Sequence, residues 1–153
     1  MTFSLDQLIH NSLIEICQNC NDDFSGLGIV YYENLIHLPY ISLHKEELLL
    51  DIESKNFNET LIKISRYSSA YHDGFHFINV ESKKITHISQ YISPSLESVA
   101  NINMNHIIPC GAREMTAFLT SNIEGVFCVG LISANKTIKI FKDGSIIYQQ
   151  VSA

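Results

Sequence analysis

The chain has 153 residues, of which 46% are hydrophobic and 17% charged, and its formal net charge is −6. That length suits one domain with a single sizeable core, and the apolar share excludes an intrinsically disordered chain. The acidic balance excludes extended nucleic-acid binding, which needs a basic face, although ten basic residues can still build one local anion pocket.

No apolar run approaches the roughly 18 residues of a membrane span. Residues 1–20 are amphipathic, unlike a secretion signal, and a cytoplasmic location is expected. Ser4-x-x-Gln7 has the form of a capping box. Leu5, Leu8, Ile9, Leu13, Ile16, Cys17 and Cys20 follow at helical spacing and predict an opening helix. Cys17-x-x-Cys20 has no second pair at ligand spacing. With Cys110 and Cys128 far along the chain, the cysteines read as reduced core thiols and not as a zinc site or disulfide framework. Gly26 closes this region, and Leu27 to Tyr32 is rich in strand formers. Leu35 to Leu43 is expected to be extended, with Pro39 pointing to an edge. Residues 45–53 fit a short helix or a loop.

Asn58 to Ile64 predicts a helix entered through an Asn cap, and the serine-rich turn 65–69 leads to His72-Asp73-Gly74. Phe75 to Val80 and Lys84 to Tyr91 form a predicted hairpin. Ser93 to about Asn105 is the longest candidate loop. Ala112 to Ser121 follows as a helix, with Met115, Phe118 and Leu119 on one side. Gly125 to Ile132 is apolar throughout, as in a strand buried on both faces. Asp143-Gly144 between Thr137–Phe141 and Ser145–Tyr148 signals a type I′ hairpin. The expected architecture is a single α/β domain over residues 1–153, with a mixed central sheet flanked by helices.

Two segments carry the chemistry. Tyr71-His72-Asp73-Gly74-Phe75 places an imidazole and a carboxylate on a glycine turn that enters an apolar strand. Gly111-Ala112-Arg113-Glu114-Met115 places a guanidinium at a helix start. An acid with an imidazole, and a cation at a helix N-terminus, are what a magnesium-nucleotide needs. Taken alone, His72-Asp73 also describes an Asx turn with a surface histidine. His76, His87 and His106 show no ligand spacing and are expected to face solvent or to be hydrogen-bonded.

In order, these pieces resemble the diadenylate cyclase (DAC) domain family, which joins two ATP molecules into cyclic di-AMP. The family's Leu-His-Asp-Gly-Ala turn is matched by Tyr71 to Phe75, and its Gly-Thr-Arg-His-Arg motif by Gly111 to Met115. Its Tyr-Leu-Pro-Leu-Ser segment looks like Tyr91-Ile92-Ser93-Pro94-Ser95. Its Ser-Glu-Glu-Thr-Gly turn looks like Ser133-Ala134-Asn135-Lys136-Thr137. The likeness spans nearly the whole chain.

The resemblance implies an adenine-nucleotide site built from Gly74, Tyr91, Ile92, Gly111, Ala112, Arg113, Glu114 and Ser133. Tyr91 would stack on the base, and the backbone near Ile92 would read its edge. Asp73 would be the catalytic carboxylate, and with His72 it would meet a divalent metal, magnesium or manganese. Several family features are changed. Glu114 and Met115 replace His and the second Arg, Ala112 replaces the threonine, and Ala134 and Asn135 replace the turn's glutamates. Glutamate beside a triphosphate brings like-charge repulsion, and methionine removes a bidentate phosphate fork. Lys136 and Lys142 are the candidate replacement cations, and Phe75, larger than the family's alanine, would narrow the pocket. The expectation is therefore a nucleotide-binding or sensing domain with impaired catalysis. An active cyclase and a ligand-free interaction module are the alternatives. A homodimer is expected for an active enzyme and optional for a sensor.

Overall fold

The computed structural model describes residues 4–43, 57–94 and 111–151. Within them the chain runs α1 (Leu5–Asn19), β1 (Leu27–Tyr32), β2 (Tyr40–Ser42), α2 (Phe57–Ile64), β3 (Phe75–Asn79), β4 (Lys84–Ile92), α3 (Ala112–Thr120), β5 (Val126–Ile132), β6 (Thr137–Lys142) and β7 (Ser145–Val151). The strands form one sheet in the order β2-β4-β3-β1-β5-β6-β7. β1 and β3 are parallel, and every other neighbouring pair is antiparallel. This is the mixed α/β sheet that the hydrophobic patterning predicts. The predicted Leu35–Leu43 stretch shortens to the edge strand β2. The 45–53 segment, most of the 93–105 loop, Cys110 and His106 lie outside the described residues.

β1 is buried along its whole length because helices cover both of its faces. Ile29 and Tyr31 join a cluster with Ile9, Leu13 and Ile16 of α1. Val30 and Tyr32 point the other way, into a cluster with Ala117 and Leu119 of α3. The capping box forms as its spacing predicts: Ser4 Oγ accepts from the Gln7 backbone N–H, and Gln7 Oε1 accepts from the Ser4 N–H. Cys17 and Cys128 are buried, and Cys20 packs partly buried against the first cluster, so these three thiols belong to the core.

The start of α2 departs from the expectation. Phe57 opens the helix and Asn58 lies inside it. The Asn58 amide bonds to α1: Nδ2 donates to Glu15 Oε2 (2.6 Å) and Oδ1 accepts from Ser12 Oγ (2.5 Å). Partners on α1 win over the local backbone, and the side chain ties α2 to α1. Asp143 and Gly144 have φ of 51° and 72°, as a type I′ turn requires.

The register decides where functional side chains meet. Leu27 pairs with Ile132, Phe75 with Gln90, Tyr40 with Ile92 and Thr137 with Val151. The starts of β1, β3 and β6 and the ends of β4 and β5 therefore share one end of the sheet. Among the described residues, no helix is long and apolar enough to cross a membrane.

Candidate functional site

The Asp73-Gly74 turn enters that sheet end as the lead into β3. Gly74 has φ +81°, and a Cβ there would lie 2.7 Å from the Gln90 carbonyl oxygen. Only glycine lets the turn rest on β4. The Asp73 carboxylate is 71% exposed, with His72 Nδ1 3.4 Å from its Oδ1. His72 is three-quarters covered and its ring lies against that of Tyr67, so it is not a freely solvated surface histidine.

Arg113 comes from the first turn of α3. The N-cap is Gly111, whose backbone is extended and whose lack of a side chain leaves the helix start uncapped. The guanidinium reaches back over Gly26. A Cβ at Gly26 would stand 2.6 Å from Arg113 Nη1 and 3.2 Å from the Ile132 carbonyl oxygen, and its φ of +106° excludes side chains independently. Burial lowers the Arg113 pKa, while the charges of Asp73 and Tyr67 raise it. Asp73, before β3, and Arg113, over Gly26 before β1, thus lie at the same end of the sheet. Among the described residues no direct ion pair joins them, so each keeps hydrogen-bonding capacity for a third group.

His76 was not expected here. It is 1% exposed, and its Nδ1 accepts from the Ser89 backbone N–H at 3.1 Å. Burial, with the nearby Arg113 charge, brings its pKa down to about 3. The ring is neutral at physiological pH, with its proton on Nε2. Solvent exposure is ruled out for His76, and hydrogen bonding holds. His87 is partly buried, bonded to Thr86 and facing the Tyr40 ring. The signal for His76 was its place inside an apolar strand two residues past a tight glycine.

Tyr91 is 55% exposed at the end of β4. The Ser93 N–H donates to Pro39 and the Leu43 N–H to Ser89, so odd positions of β4 bond to β2. The N–H and C=O of Ile92 therefore point the other way, toward the side of the Asp73-Gly74 turn; its side chain is buried in the second cluster. Ala112 is exposed, and its carbonyl accepts from Thr116 Oγ1. The Ser133 hydroxyl holds its own turn, accepting from the Thr137 N–H at 3.1 Å and donating to Asn135 Oδ1.

Three expectations about charge and bulk change. Glu114 does not stand unopposed, because Lys139 of β6 closes a direct ion pair with it. Lys142 lies at the far end of β6, 3.7 Å from Asp6 and over the Phe127 ring, and so is not a site cation. Phe75 does not narrow the site with its ring, which packs in the core over Gly28, where a Cβ would be 2.6 Å away. Met115 packs against the second cluster. Lys136 sits at the correct sheet end, but next to the C-terminal end of α1, where its carbonyl accepts from Cys17 Sγ at 3.5 Å.

Among the described residues, no group of three or more His, Cys, Asp or Glu side chains converges to hold a metal ion. His72 and Asp73 offer two donors. Of the two, the carboxylate suits a magnesium ion that arrives with phosphate and water ligands, and the imidazole does not.

No protein-family model and no curated protein matches the chain. Solved structures do. DacA from Staphylococcus aureus, as a double mutant, superimposes with a TM-score of 0.59 at 20% identity, covering 97% of this chain and 87% of that one. A hypothetical membrane spanning protein from Bacillus cereus gives a TM-score of 0.59 at 13% identity, covering 97% of this chain. This chain spans 63% of the Bacillus protein's length. The fold is DAC-like.

Proposed function

We propose that the chain is a DAC-like domain that binds an adenine nucleotide and whose ability to close cyclic di-AMP is weakened. The observation that carries this reading is that Arg113, lying over Gly26 just before β1, and Asp73, just before the parallel strand β3, share one sheet end with no ion pair between them. A phosphate between them would accept hydrogen bonds from the guanidinium, and the carboxylate would face a ribose hydroxyl or a cation accompanying the phosphates. The exposed ring of Tyr91 and the backbone of Ile92, at the end of β4, are the candidate platform and edge for adenine at that sheet end.

In cyclisation the 3′-hydroxyl of one ATP loses its proton and attacks the α-phosphorus of the other. The bond to the bridging oxygen breaks and pyrophosphate leaves, once in each direction. A bound divalent cation supplies charge neutralisation at the phosphates. The chain's own part is to position both nucleotides and to stabilise the charge that builds on the phosphorus oxygens. Arg113 serves that purpose, whereas Met115 packs on the core and serves none. Each 1.36 kcal/mol of lost stabilisation costs about tenfold in rate, which favours binding over turnover.

Titration with ATP and with cyclic di-AMP tests the reading, and no binding at millimolar ligand would end it. One observation favours an active cyclase instead: Lys139 restores a positive charge next to the altered motif. Incubation with ATP and manganese, followed by mass analysis, separates the two. Cyclic di-AMP that disappears in Asp73→Asn would establish the active enzyme, which also requires a second copy to present the second ATP.

A further inference from the structure

Glu114 and Lys139 are largely shielded from water, with side chains 25% and 21% exposed, and they form a direct ion pair. The pair borders an open cavity of about 330 Å³ that is also lined by Ser133, Asn135, Thr137 and Gln149 and by the apolar Leu131 and Val151. That size lies at the low end of the roughly 300–1,000 Å³ of small-molecule sites, and the lining is mixed, its hydrogen-bonding groups coming from Ser133, Asn135, Thr137 and Gln149. Arg113 does not line this cavity; it lies over Gly26, where a Cβ would also be 3.6 Å from the Ala134 nitrogen, next to the turn that Ser133 opens.

We infer that Lys139 is the second phosphate-binding cation of this site, and that Glu114 occupies it as an internal stand-in for phosphate. The inference rests on the nucleotide reading and names the polyphosphate end of the ligand as the group this cavity takes. An ammonium carries three donors on a flexible stem. It can pass from the carboxylate to a phosphate oxygen without backbone movement. Ligand and Glu114 then compete for one cation, so the glutamate weakens anion binding while holding the lysine in place. The altered motif thereby becomes a tuned site, with its second cation supplied from the sheet and not from the helix.

Calorimetric titration with magnesium-ATP, inorganic pyrophosphate and adenosine at fixed ionic strength tests this in five proteins: the unaltered chain, Lys139→Met, Glu114→Gln, the double variant of these two, and Arg113→Met. Lys139→Met is expected to weaken ATP about tenfold or more and to abolish pyrophosphate binding, leaving adenosine unchanged. Glu114→Gln is expected to tighten ATP and pyrophosphate about three- to tenfold. The double variant removes both charges together, so it keeps its fold and still loses pyrophosphate, guarding against misfolding of Lys139→Met. If Lys139→Met and the double variant bind ATP and pyrophosphate as the unaltered chain does while Arg113→Met does not, the lysine assignment falls and the nucleotide reading stands. Pyrophosphate bound through Lys139 without any ATP binding would keep the anion site and end the adenylate reading. Binding of neither ligand ends both.

Discussion

The imidazole of His76 is held in the interior with its pKa near 3, against about 6.5 in an unfolded chain. Below the unfolded value the unfolded chain gains a proton that the native protein refuses. The stability tied to this residue is thus complete above about pH 6.5 and is lost as the pH falls toward the folded value. The unfolding free energy from urea denaturation should fall between pH 7 and 5 by up to about 1.4 kcal/mol per pH unit from this group. His76→Asn keeps an acceptor for the Ser89 N–H and should flatten that slope; an equal slope in both proteins would contradict the assignment. Gly26 is the second residue on which the site turns. Gly26→Ala forces a side chain into a positive φ and into Arg113, and should cost about 1–3 kcal/mol in urea denaturation. ATP titration of the same variant should show weakened binding, since the guanidinium must leave its seat.

At the level of elements, α1 is anchored by packing more than by its cap. Leu13 is fully buried, and its Cδ1 would lie 2.9 Å from a Cβ on Gly130, so the helix rests almost on the backbone of β5. Leu13→Ala should destabilise by about 2–5 kcal/mol, whereas Ser4→Ala, which removes the capping-box acceptor, should cost about 1 kcal/mol. Chemical denaturation of the two variants gives the ranking, and a larger loss from Ser4→Ala would overturn this account of the helix. α3 has the opposite character. Its apolar side packs on the second cluster, while its start, with Gly111 offering no side-chain cap, is left to the site.

For the whole molecule, a ligand that bridges segments from β1, β3, α3 and β5 can bind only the folded state. Magnesium-ATP at a hundred times its Kd should therefore add about 2.7 kcal/mol to unfolding stability, seen as a rise in Tm. Arg113→Met should lose that rise. Lys142→Met should retain it, because Lys142 is engaged with Asp6 and Phe127 at the other end of the sheet. A rise that survives in Arg113→Met would mean that the ligand sits elsewhere.

Periodicity and turn chemistry are local, and they were legible in the chain. The α1 stripe, the buried β5 run, the Asp143-Gly144 turn and the motifs around Asp73 and Arg113 all depend on residues within a few positions of one another. Their order also carried the resemblance that the DAC-like fold matches. What depended on distant partners was not legible. Asn58 turned from a cap into a link between helices because Ser12 and Glu15 offered better bonds. His76 became a buried neutral ring, Gly26 a seat for Arg113, and Lys139 the counter-charge of Glu114. Hydrophobic spacing specifies which face of an element is buried. The sheet register alone decides which charges that burial brings together, and the register is a property of the folded chain.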